Sequence, residues 1–102
     1  MQVIYKYKQY NISIIKNIND IIITFIDKNN KMYKEIYHLS LIEKYNLNFN
    51  EFYHMIIKSF NVLIYDDPNN DKICFICYDN FLNVKIFNYH GSTINLYLLN
   101  FL

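Results

Sequence analysis

Only one stretch of this chain repeats its apolar residues at helical spacing. Phe49, Phe52, Tyr53, Ile56, Ile57 and Phe60 fall at i, i+3, i+4, i+7, i+8 and i+11, one face of an α-helix. Asn48 stands before this stripe with Glu51 three residues on, which predicts an Asn cap at the helix start. Asn50, His54 and Lys58 fall on the opposite, solvated side. Because the chain has no Ala, the helix must draw its stability from packing that aromatic stripe.

Elsewhere the period is two. Val3, Tyr5 and Tyr7 alternate with Ile4, Lys6 and Lys8, and Tyr10, Ile12 and Ile14 alternate with Asn11 and Ser13. This predicts two strands or one long bent strand. Lys16–Asp20 is turn chemistry, and the β-branched run Ile21–Ile26 reads as a third strand buried on both faces. Asp27–Lys31 reads as a hairpin loop, followed by a fourth strand carrying Tyr33, Tyr37 and Leu39. Ser40 and Glu43 have capping-box spacing, which predicts a short helix before the long one. After it, strands are predicted over Val62–Tyr65, Lys72–Tyr78, Phe81–Phe87 and Thr93–Leu99, the first two flanking the loop Asp66–Asp71. The expected fold is α+β: an antiparallel sheet or β-sandwich with a helical pair inserted midway, in the order ββββ-αα-ββββ. With 102 residues, no internal repeat and no long linker, residues 1–102 read as one domain.

Composition narrows function mainly by exclusion. Apolar residues make up 53% and charged residues 19% of the chain, with one Gly and one Pro, which is the composition of a folding chain rather than a disordered one. Ile, Asn, Lys, Tyr and Phe dominate, while Arg, Ala and Trp are absent, a bias that AT-rich codons produce without selection for chemistry. The net charge of +1, with acids and bases interspersed, names no electrostatic partner. No run approaches the roughly 18 to 20 apolar residues of a membrane span, and the start MQVIYKYKQY has no signal-peptide core. The expectation is an intracellular protein with two reduced cysteines and no membrane partner.

Cys74, Cys77, Phe81, Phe87 and His90 match the spacing of a zinc finger through its first His. The fourth ligand would fall at Ile94, Asn95 or Leu96, none of which binds zinc. In a strand, moreover, residues three apart face opposite ways and lie about 10 Å apart. Cys74 and Cys77 therefore read as packing residues, with Cys74, Cys77 and His90 kept as the metal candidates and no cofactor expected. Asp67–Asp71 begins like a calcium loop, but Lys72 and Tyr78 stand where the required Gly and Glu would be. No Ser, Cys or Asp is spaced from a His as a nucleophile and base would be, and the only Gly is Gly91, so the chain reads as a non-enzyme.

Two partner readings remain. Tyr5, Lys6, Tyr7, Lys8 and Tyr10 interleave aromatic and basic residues as single-stranded nucleic-acid binders do, although an alternating strand would separate the two kinds onto opposite faces. The C-terminus is apolar at nearly every position, and Ile94, Leu96, Tyr97, Leu98, Phe101 and Leu102 are the candidate interface of an edge strand that pairs with a second copy or another protein. In residue usage and size the chain resembles the small proteins of AT-rich giant DNA viruses and protists, which implies a viral protein in the host cell or virion. Its order of elements is similar to the head domains of end-joining scaffold and centriolar cartwheel proteins, where a helix pair interrupts a β-sandwich. The function expected is a non-enzymatic interaction or assembly module that self-associates, with nucleic-acid binding or a zinc-stabilised module as alternatives.

Overall fold

A computed structural model describes residues 2–45, 48–61, 73–78, 80–87 and 93–100. Its strands are β1 Gln2–Tyr7, β2 Tyr10–Lys16, β3 Asp20–Ile26, β4 Met32–His38, β5 Ile73–Cys77, β6 Phe81–Phe87 and β7 Thr93–Asn100. Between β4 and β5 lie a short helix α1, Leu39–Ile42, a 3-10 turn Glu43–Tyr45 and the long helix α2, Phe49–Asn61. The fold is α+β with an antiparallel sheet. The strand expected over Val62–Tyr65 lies outside the described residues.

The strands form one sheet in the order β1-β2-β3-β4-β7-β6-β5. Two antiparallel meanders, β1 to β4 and β5 to β7, meet where β7 pairs with β4. Among the described residues, Tyr33 lies opposite Asn100 and Lys34 opposite Leu99 at that junction. Further along, the Tyr37 hydroxyl donates to the Tyr97 carbonyl at 3.3 Å, and the Ile36 amide donates to the Glu35 carboxylate at 2.9 Å. Side chains thus satisfy main-chain groups where the strand ladder stops.

Local chemistry sets the turns. A two-residue turn joins β1 to β2, with Tyr7 opposite Tyr10 and Lys8 held at φ 52°, a left-handed conformation that disfavours a residue with a Cβ. In the loop from β3 to β4, the Asp27 carboxylate accepts from the amides of Asn29 and Lys31 at 2.9 and 3.0 Å, while Asn30 takes φ 62°. Asn tolerates that region better than most residues.

The core face follows the alternation. Tyr5, Tyr10, Ile12, Ile14, Ile21, Ile23, Phe25, Tyr33 and Tyr37 are buried on it, as are Leu82, Val84, Leu96 and Leu98. The α2 residues Phe52, Tyr53, Ile56 and Phe60 close the same cluster. Phe60 stacks on Tyr5 with ring centres 5.7 Å apart and meets Phe25 at 6.0 Å. The Tyr5 hydroxyl reaches past this stack to donate to Asn61 Oδ1 at 2.8 Å. On β3 the structure corrects the expectation of two buried faces: Ile22, Thr24 and Ile26 are only half-buried.

The two helix starts behave differently. The Glu51 amide donates to Asn48 Oδ1 at 2.8 Å, the cap the sequence predicts. Replacing Asn48 with Ala should lower the unfolding free energy by about 1 kcal/mol, which urea titration followed by circular dichroism would read. The Ser40 capping box does not form. α1 has His38 rather than Ser40 at its N-cap, two residues earlier, and no side-chain capping bond: Ser40 lies inside the helix, and the Glu43 amide it would cap donates to the Leu39 carbonyl, while the Leu39 amide donates to the Asn19 carbonyl at 2.9 Å. A main-chain acceptor from the β2–β3 turn thus satisfies the first amide of α1.

Candidate interaction surface

Strand parity divides β6 and β7 between two faces. Leu82 and Val84 of β6 and Leu96 and Leu98 of β7 point into the core. Phe81, Asn83 and Lys85 therefore share the outer face with Asn95, Tyr97 and Leu99. The register sets Phe81 opposite Leu99, Asn83 opposite Tyr97 and Lys85 opposite Asn95. Asn83 is buried even on this face and donates its amide to the Leu96 carbonyl at 3.3 Å.

Around Asn83 the face is aromatic. The turn into β6 places Tyr78 against Phe81, with ring centres 4.5 Å apart and planes 18° from parallel, and the Tyr78 amide donates to the Phe81 carbonyl at 2.8 Å. Phe81 meets Tyr97 at 6.0 Å. Tyr78 is 47% exposed, and Tyr97 and Leu99 are each 53% exposed. Across the β4 junction Leu99 lies opposite Lys34, and Lys85 stands on the other side of Asn83, so cationic positions border the apolar patch. Large, stiff side chains with partial exposure and a charged border are the make-up of a protein-binding surface.

No protein family, curated protein or solved structure matches this chain. The surface is read from its chemistry alone.

The residues singled out by sequence fall unevenly on it. Leu96 and Leu98 are fully buried, and β7 is an interior strand between β4 and β6, so the expected edge is corrected to a central position. Tyr97 is on the surface. Ile94 is described by its backbone alone, opposite Ile86, and Phe101 and Leu102 lie outside the described residues. Tyr78, Phe81 and Leu99 were missed. Parity would have found Leu99, because a strand that buries Leu96 and Leu98 turns Tyr97 and Leu99 outward.

The aromatic and basic run of β1 separates as alternation requires. Tyr5 and Tyr10 are buried, Tyr7 is half-buried, and Lys6 and Lys8 are exposed. A base cannot stack on rings that Phe25 and Phe60 already cover. Cys74 and Cys77 lie in β5 opposite Lys85 and Leu82, strand positions of opposite parity, and His90 lies outside the described residues. Among the described residues no three His, Cys, Asp or Glu side chains come together as a metal site, and no helix is long and apolar enough to cross a membrane.

Proposed function

We propose that this chain is a non-enzymatic interaction and assembly module that binds copies of itself through the outer face of β6 and β7. One observation carries the reading: the half-exposed Tyr78, Tyr97 and Leu99 surround the partly buried Phe81 in a continuous patch, on strands whose other face is core. Burying a large apolar side chain contributes about 1.5 to 3 kcal/mol, so a few such anchors can dominate an interface. Standard interfaces bury roughly 800 Å² on each partner, which makes the patch the centre of the contact and the flanking polar residues its border. The resemblance to small proteins of AT-rich giant viruses would put this assembly in an infected cell or a virion. The full order ββββ-αα-ββββ remains part of the same proposal.

Light scattering across a concentration series tests it. The parent protein should show a mass above that of one chain, and the double variant Tyr97→Lys, Leu99→Glu should lose part or all of that excess. Both positions are exposed, and Glu at 99 would lie opposite Lys34, so the variant should keep its fold. An unchanged mass in the double variant would remove this face as the contact.

A further inference from the structure

The turn between β2 and β3 carries an apolar side chain where turn chemistry calls for none. It closes through the Asn17 amide, whose main-chain N–H donates to the Asp20 carbonyl at 2.9 Å and whose side chain donates to Asp20 Oδ1 at 2.7 Å. Ile18 sits at the tip of this turn and is 90% exposed, more than any other large apolar side chain among the described residues. A β-branched residue contributes nothing to such a turn, where Gly, Asn, Asp or Ser would be favoured. Leu39 and Leu41 of α1 are also exposed, and the Leu39 amide ties α1 to this turn through Asn19.

A wide-open, shallow cleft lies between the turn and the start of α2, with Ile18 on its rim and Lys16, Asp20, Phe49 and Asn50 among the other lining residues. Its helix wall is held in place. Lys16 Nζ donates to Asn50 Oδ1 at 2.8 Å and lies over the rings of Phe49 and Tyr53 at 5.6 and 5.2 Å.

A projecting side chain next to a cleft on the same molecule is self-complementary under two-fold rotation, since each copy offers both halves of the contact. Charge agrees with this. Lys16 and Asp20 line one cleft, so a two-fold contact can bring the carboxylate of one copy toward the cation of the other, and opposite charges then face each other twice. We infer that the β2–β3 end is a second contact between copies of this chain, in which Ile18 of each copy enters the partner's cleft against Phe49. The inference rests on the self-association proposed above but uses different residues. Two separate two-fold surfaces on one chain carry assembly beyond a dimer.

The test uses sedimentation on the Tyr97→Lys, Leu99→Glu background, where only the β2–β3 contact would remain. That protein should still dimerise as concentration rises. Adding Ile18→Asp should weaken the dimer about 10- to 100-fold, whereas adding Ile18→Leu should leave it within about threefold. Ile18 is on the surface, so thermal melts of all the variants should coincide at concentrations low enough to keep each of them monomeric. A background protein that stays monomeric at every concentration, or an Ile18→Asp form that sediments like its parent, would overturn the inference. Ile18-dependent flotation with anionic lipid vesicles, without any change in mass, would also overturn it and assign the tip to a membrane surface. The face of β6 and β7 is judged separately, by whether the double variant alone changes the mass of the parent.

Discussion

Replacing Phe60 with Ala should lower the unfolding free energy by about 3 to 5 kcal/mol. Phe60 is fully buried in the last turns of α2. Its ring stacks on Tyr5 of β1 and meets Phe25 of β3, which in turn meets the edge of Tyr10 of β2 at 5.5 Å. One side chain thus joins the helix directly to two strands, and through Phe25 to a third. Its loss would leave a cavity that rigid neighbours cannot collapse to fill, and it would weaken the hold on the adjacent Tyr5–Asn61 hydrogen bond. A domain of this size has a total stability of roughly 5 to 15 kcal/mol, so the variant should melt tens of degrees lower or be partly unfolded at room temperature. Urea titration followed by circular dichroism would measure the change. A loss below about 1 kcal/mol would mean that α2 does not pack on the first meander.

Two neighbouring substitutions should have opposite consequences. Leu98→Glu places a carboxylate where the native side chain is fully buried in the core cluster, and should destabilise by about 4 kcal/mol or more through lost apolar burial and the cost of a polar group without a partner. Leu99→Glu, one residue on, alters a half-exposed position opposite Lys34 and should change stability by no more than about 0.5 kcal/mol. Thermal melts of the two variants, compared with the parent, check this. Equal losses, or the reverse order, would mean that the register of β7 is shifted by one residue, which would exchange its two faces.

The contrast between those residues marks what was legible in the sequence. Alternation is local, so Tyr5, Ile12, Ile14, Tyr33 and Tyr37 could be assigned to one face before any strand order was known, and the helical stripe from Phe49 to Phe60 follows from its own spacing. The Asn48 cap was legible for the same reason, since its donor is three residues away. Strand order is a tertiary property. Nothing in the run from Thr93 to Asn100 says that β7 inserts beside β4, so its apolar character fits either a central strand or an exposed edge, and only the strand order decides for the first. The same limit explains Ser40: α1 starts at Leu39, whose amide donates to the carbonyl of Asn19 from the distant β2–β3 turn, so Ser40 lies inside the helix and the Glu43 amide is taken by the Leu39 carbonyl. Ile18 escaped notice because it sits among residues that spell a turn, and only its exposure distinguishes it.

Oxidative footprinting of Tyr97 at increasing protein concentration tests the self-association reading most directly. If the outer face of β6 and β7 is where copies meet, labelling of Tyr97 and Tyr78 should fall several-fold as the protein is concentrated, while labelling of His54 on the solvated side of α2 stays constant. Equal labelling of Tyr97 at every concentration, in samples whose mass by light scattering rises above one chain, would contradict it.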